Sequence, residues 1–388
     1  MTILGSVLYS LIGIHTADVR AFTNGFAAGR PLFQWPDVKA GAEFIPTVGT
    51  ADFRTANDIF YRDPYSMQWS LTGEHEFARD TAVQVSYVGS KTLKLSVSPD
   101  LNATLPQAAP YDPSKKPFPN WNIIFSRDNG GISWYNALTV NVRRRMSRGL
   151  MFDSSWYWSK NLSDAEGPLP DSNVAENGNR IVDSRFLRLD YGDVSYTRRH
   201  RWLTTCIWDV PVGKGRAHMA GVNPVVNGVL GGWQMSGIVI LQTGPYFTPR
   251  LGSGRDPSGT NQQNRVSHRP DRVGDGNLPE DQRTINQWFD TGAFVDPPSN
   301  IGRYGNAGVG ILIGPGTAVY HLGVGKAFDI REGTKLRFLS TFQNLFNHPN
   351  FGLPGNRVRT SSIGVISSLQ TAEGAGPRTI QFSLRLEF

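Results

Sequence analysis

Residues 379–388 read Thr-Ile-Gln-Phe-Ser-Leu-Arg-Leu-Glu-Phe. Ile380, Phe382, Leu384, Leu386 and Phe388 share one parity; Thr379, Gln381, Ser383, Arg385 and Glu387 share the other, without exception. Successive side chains of a strand point to opposite sides, so this stretch predicts a β-strand with one wholly apolar face. Its length is about what a tilted strand needs to cross a bilayer, whereas strands in soluble sheets usually stop at about five or six residues.

The same pattern recurs upstream. Tyr65, Met67, Trp69, Leu71, His75 and Phe77 oppose Ser66, Gln68, Ser70, Thr72, Glu74 and Glu76. Leu138, Val140 and Val142 oppose Thr139, Asn141 and Arg143, and Leu150, Phe152, Trp156 and Trp158 oppose Asp153, Ser155 and Ser159. Trp233, Met235, Val239 and Leu241 alternate likewise, as do Tyr320, Leu322, Val324 and Phe328. Short connections at Ala78–Asp80, Ser147–Gly149 and Arg331–Gly333, and a middle-length one over 211–232, alternate with long ones at roughly 90–131, 161–196, 244–318 and 346–378. Strict alternation of tight turns with long loops is the pattern of bacterial outer-membrane barrels, whose turns are periplasmic and whose loops are extracellular. It places the C-terminus in the periplasm.

The fold expected is therefore all-β, built of antiparallel transmembrane β-barrel strands. Nine strands are legible, and a tenth is expected within residues 1–20. Residues 1–64 form an N-terminal strand remnant with an extracellular loop, and 65–388 form the barrel portion. Tyr65, Trp134, Tyr135, Trp156, Tyr157, Trp158, Tyr196 and Tyr246 cluster where the strands should meet the outer interface, which suits side chains with an apolar body and a polar tip.

Composition agrees without deciding. Charged residues make up 18% against roughly 25% for soluble proteins, and there are 42 Gly and 10 Trp. No stretch reaches the 18 apolar residues of a spanning helix, and Ile3 to Ile14 lacks the basic start and cleavage site of a signal peptide. A chain without its export signal reads as a fragment. The single Cys206 offers neither a disulfide framework nor a thiolate metal cluster.

The formal charge of +7 raises nucleic acid as a partner. The basic residues are dispersed, however, apart from Arg143-Arg144-Arg145 and Arg198-Arg199-His200-Arg201, and neither run sits in a helical or zinc-finger pattern. Contact with outer-membrane lipid and anionic lipopolysaccharide accounts for the balance, and no nucleic acid is expected.

Several phrases resemble a known family. These are Tyr87-Val88-Gly89-Ser90-Lys91, the hairpin from Tyr135-Asn136-Ala137-Leu138 to Trp158-Ser159-Lys160-Asn161, Arg199-His200-Arg201-Trp202, Pro211-Val212-Gly213-Lys214-Gly215, Gly232-Trp233-Gln234-Met235-Ser236-Gly237, and Asn344-Leu345-Phe346-Asn347-His348-Pro349-Asn350-Phe351-Gly352. In this order, across most of 60–388, they resemble Oar-like TonB-dependent receptors. The resemblance implies the C-terminal part of a barrel of about twenty-two strands, the plugged-transporter class. It implies uptake of a scarce, bulky solute, with TonB engaged only through a plug absent from these residues. A passive porin-like channel or an adhesive, structural barrel is the competing reading, and a soluble sugar-binding β-protein a third.

Phe382, Leu384, Leu386 and Phe388 look like the terminal signal read by the barrel-assembly machinery, which would recognise an open strand edge through its unpaired N–H and C=O groups. The polar parity makes Asn141, Arg143, Asp153, Asp209, Gln234, Arg337 and Arg385 candidates to face the lumen and touch solute. Asp271, Asp275 and Asn277 fail the alternate-ligand spacing of a calcium loop. Gly323-Val324-Gly325-Lys326 lacks the Ser/Thr of a phosphate loop and lies in a strand pattern. There is no HExxH and no Gly-x-Ser-x-Gly elbow. No metal, no cofactor and no enzymatic activity are expected.

Overall fold

The computed structural model describes residues 60–388, except 98, 120, 166–181, 253 and 262–267, with short backbone stretches at Thr16–Asp18, Phe26–Ala27, Arg30–Pro31 and Ala51–Asn57. Nine long strands follow one another as a meander: β1 (Tyr65–Ala78), β2 (Thr81–Val97), β3 (Trp121–Ser147), β4 (Leu150–Ser163), β5 (His200–Asp209), β6 (Trp233–Gln242), β7 (Thr317–Arg331), β8 (Thr334–Gln343) and β9 (Thr379–Glu387). Every neighbouring pair is antiparallel. The sheet stays open among the described residues, with β1 paired only to β2 and β9 only to β8.

Of residues 1–20, where a tenth strand is expected, Thr16–Asp18 is the described part, a strand antiparallel to Ala51–Asn57, and Ile3–Ile14 lies outside the described residues. Of the region before Tyr65, Ala51–Asn57 runs parallel to the start of β3, and Thr16–Asp18 pairs with it. The long connection expected over 90–131 is shorter than its composition suggests. β2 continues to Val97 and β3 begins at Trp121, because Ser, Asn and Gly there keep the backbone ladder although the apolar alternation has stopped.

The registers hold the parity across the sheet. One row runs Ala82, Arg143, Asp153, Thr205, Ile238 and His321, and continues through Gln343 to Thr379. Its mates on the opposite face include Leu71, Tyr87, Leu138, Trp158 and His200. A slip of one residue would turn every side chain to the wrong face, so the apolar row and the register specify each other. Tight turns fix that register at one end. Arg148 and Gly149, both at positive φ, close β3 to β4, the backbone a two-residue hairpin needs. On the apolar face Trp69 lies across Gly89, where a Cβ would collide with its indole. The glycine of the Tyr87–Lys91 phrase is thus a seat for a tryptophan.

At the other end the long connections form a cap. Residues 243–316 and 344–378 share a core of Phe247, Leu251, Phe289, Ala293, Phe294, Ala307, Leu312 and Val358, with Trp288, Ile311 and Ile363 packed against it. Phe289 stands edge-on to Phe247 and Phe294 at 5.8 and 5.9 Å. The other loops are tied in: Gln107 N–H donates to Ser258 O at 2.8 Å, and Arg269 reaches Asp190 at 2.7 Å with both side chains buried. Stretches rich in Pro, Gly and Asn that read as plain excursions are thus a packed layer.

The expected aromatic cluster divides. Tyr65, Trp134, Trp156 and Trp158 lie on the apolar face, while Tyr135 and Tyr157 fall on the opposite parity. Tyr246 is buried in the cap and Tyr196 is exposed in a loop. Alternation made this division unavoidable, since Trp134 and Tyr135, like Tyr157 and Trp158, are sequence neighbours.

Candidate functional site

The seven polar residues singled out by parity all lie on the face opposite the apolar row, by their registers. They form three groups, not one. Asn141 Nδ2 donates to Asp153 Oδ1 at 2.6 Å and to Ser155 Oγ at 2.7 Å, and Arg143 Nε donates to Asp153 Oδ2 at 2.9 Å. Gln234 Nε2 donates to Asp209 Oδ1 at 2.8 Å. Arg337 and Arg385 converge on Glu387, at 2.9 and 3.6 Å.

The first group borders a cavity. A space of about 920 Å³ lies along this face, lined by Arg143, Asp153, Ile238, His321, Gln343 and Glu373 among others. Asn141 touches it only through its bond to Asp153. Asp209, Gln234, Arg337 and Arg385 lie elsewhere on the same face, outside the lining.

Sequence reasoning missed the far side of this cavity. Glu373 comes from the 344–378 connection and accepts from Arg201 NH2 at 2.6 Å and NH1 at 3.2 Å. Its carbonyl meets His321 Nε2 at 3.1 Å. Next to it, Ala375 buries against Ile240, Val319 and Leu203, which stand on the polar parity yet are apolar. They are apolar because a loop covers them. The signal was present as three breaks in an otherwise polar row, Leu203, Ile240 and Val319.

The Asn344–Gly352 phrase holds that loop in place. Asn344 Nδ2 donates to His348 O and Gly376 O at 2.9 and 2.8 Å, and Asn350 Nδ2 donates to Ala375 O at 3.2 Å. Both asparagines are 1% exposed. A buried amide pays for its desolvation only through such bonds. The phrase is therefore a clamp that carries Glu373 to the sheet.

Polar groups inside the cap are perturbed by burial. His268 is pushed down to about 4, chiefly by desolvation. It comes to 4.0 Å from Asp256, too far for a hydrogen bond, and burial outweighs that carboxylate, so the ring is neutral. Burial, reinforced by the neighbouring Asp183, raises the Tyr304 hydroxyl, which donates to Asp183 Oδ2 at 2.9 Å. Asp271 is lowered by its hydrogen bonds from Arg303. Asp275 is held by Arg272 at 2.6 Å, and Asn277 Nδ2 donates to Ile311 O, so the residues that faintly resembled a calcium loop are each engaged with protein groups. No cluster of three metal-ligating side chains occurs among the described residues.

An open antiparallel meander of long strands whose apolar face stands exposed fits an outer-membrane β-barrel sheet. A family model for the outer membrane beta barrel domain matches residues 10–381, and the chain belongs to that family. The outer membrane transporter YddB from Escherichia coli aligns with 88% of this chain and 34% of its own, at 8% identity and a TM-score of 0.44. BauA, the ferric preacinetobactin receptor from Acinetobacter baumannii, aligns with 83% of this chain and 29% of its own, at 11% identity and a TM-score of 0.39. FpvA of P. aeruginosa, solved with heterologous pyoverdines, gives 87% and 30%, at 9% identity and a TM-score of 0.38. The chain thus spans about a third of the length of the solved structures it matches. No curated protein matches it.

Proposed function

We propose that the chain is the C-terminal barrel portion of an Oar-like TonB-dependent receptor that takes up a scarce, bulky solute. The tight turns and Phe388 then lie in the periplasm, and the cap faces the medium. The observation that carries this reading is the Glu373 loop: a segment of the cap bends onto the polar face and borders the cavity beneath. The cap captures solute, and the cavity beside Arg143, Asp153, His321 and Glu373 passes it inward. In the intact receptor a plug supplied by other residues couples this path to TonB, and the reading calls for no cofactor and no catalysis. Phe382, Leu384, Leu386 and Phe388 present the edge to the barrel-assembly machinery, and lipopolysaccharide surrounds the outward cap.

The test is energised uptake. Cells with and without the gene are compared for uptake of labelled oligosaccharides, peptides and chelated iron, in the presence and absence of a protonophore. Gene-dependent uptake that stops with the protonophore is expected. Gene-dependent uptake that persists would overturn the reading in favour of a passive porin-like channel, and no gene-dependent uptake would favour an adhesive barrel.

A further inference from the structure

The middle-length connection between β5 and β6 contains a short helix, α1 (Pro224–Leu230), started by Asn223, whose side chain accepts from Val226 N–H at 2.9 Å. None of its residues is buried. Val225, Val229 and Leu230 are 79, 63 and 47% exposed, and Met219 before it is 45% exposed. Contiguous exposed apolar side chains on a short helix need a cover.

Two contacts decide which side of the sheet the helix occupies. Trp233 Nε1 donates to Val229 O at 2.8 Å, and Lys326 Nζ donates to the carbonyls of Asn227 and Gly228. Trp233 and Lys326 are register partners on the apolar, lipid-facing parity. Lys326 is only 7% exposed and lies 5.4 Å from the Trp233 ring, so the helix carbonyls solvate an ammonium that would otherwise face lipid. The helix is therefore joined to the lipid-facing row, and its apolar side chains extend that surface beyond the turn end of the sheet.

The charge is one-sided as well. Residues 210–232 contain Lys214, Arg216 and His218 and no acidic residue, and all three are exposed. An apolar edge beside exposed cations is the chemistry of an interfacial segment on an anionic bilayer surface.

We propose that 210–232 is a lipid-docking surface: α1 lies in the headgroup layer at the turn end and binds anionic phospholipid through Lys214 and Arg216. The proposal rests on the orientation given above only in taking that leaflet to be the phospholipid one.

The full chain is inserted into phosphatidylcholine vesicles containing brominated phosphatidylglycerol or brominated phosphatidylcholine. In a Cys206→Ser background, Val225→Cys, Val229→Cys, Leu230→Cys and, as a cap control, Asp281→Cys each carry a fluorophore, and native tryptophan quenching reports insertion in the same samples. The three helix labels should be quenched at least about twofold more than the Asp281 label. Phosphatidylglycerol should quench them better than phosphatidylcholine, and that preference should fall by about fivefold for each of Lys214→Gln and Arg216→Gln. Quenched wall tryptophans with helix labels no better quenched than the control would overturn the proposal and leave another protein as the cover. Unquenched wall tryptophans would overturn insertion itself and the lipid-side position of α1 with it. The first outcome leaves the uptake reading, which depends on energised transport in cells, untouched; the second counts against the membrane wall on which that reading stands.

Discussion

The nine-stranded wall and the cap are built from one chain, yet they put their large apolar side chains in opposite places. In the wall, Leu71, Trp158, Phe382 and Leu384 stand exposed. In the cap, Phe289 and Leu312 are sealed from solvent. The wall's strands pair through backbone ladders and present their apolar rows outward, where lipid is the solvent. The cap's own sheets among the described residues are two short pairs, Tyr246–Phe247 with Leu312–Ile313 and Asp271–Arg272 with Phe294–Val295, and it holds together as water-soluble domains do, by burying rings against rings. Hydrophobicity alone does not tell which side chains make a core; the solvent on the other side does.

The largest break in that comparison is at the terminal strand. Deleting Phe388 should abolish most insertion into the outer membrane, while replacing the cap residue Asn261 should leave it intact. Heat-modifiable mobility on gels reads both, and equal insertion would remove the case for a terminal signal. Next, Phe289→Ala should cost about 3–5 kcal/mol through the cavity it leaves. That loss should be confined to the cap, seen as faster proteolysis of the loops with wall strands still protected from exchange. In the wall, Leu71→Arg should cost about 2–4 kcal/mol by placing a guanidinium against lipid, whereas Thr72→Arg, one residue along and on the other face, should be nearly neutral; matched losses would refute the parity.

The cap should also respond to acid. His268 has a folded pKa of about 4 against 6.5 when exposed, so the unfolded cap binds the proton more tightly. Its stabilising effect is complete above pH 6.5 and is lost progressively as the pH falls toward 4, by about 3 kcal/mol. Cap proteolysis measured across that window should show the loss, and His268→Leu should flatten it. The smallest effect belongs to Arg143→Gln. Its ion pair with Asp153 is mostly solvated on the arginine side, so stability should change by less than about 1 kcal/mol.

Most of the wall was legible because alternation is a strong local signal. Six of the nine strands, and the parity of their side chains, follow from alternating runs such as Thr379–Phe388, without knowledge of their neighbours. The cap was not legible. Phe247, Phe289, Phe294, Leu312 and Val358 meet from positions with no period, separated by Pro and Gly that mark loops whether or not the loops pack. The candidate site was half legible for the same reason. Arg143 and Asp153 were marked by parity, while Glu373 reaches the cavity only because two buried asparagines fold its loop back. The helix left one local trace, Asn223 followed by Pro224, a capping residue before a proline at the first helical position.

The count of strands carries a further consequence. In an up-and-down sheet direction alternates, so β1 and β9, the first and ninth, point the same way. Joined directly, they would meet as a parallel pair. Two copies of this nine-stranded sheet set side by side in one membrane, both with their turns on the same side, would meet in parallel at each seam too. An all-antiparallel ring that includes these nine strands therefore draws an odd number of others into the seam, the first running against β1 and the last against β9. The two bare edges act as a directional key, and it admits neither edge's counterpart from the same sheet.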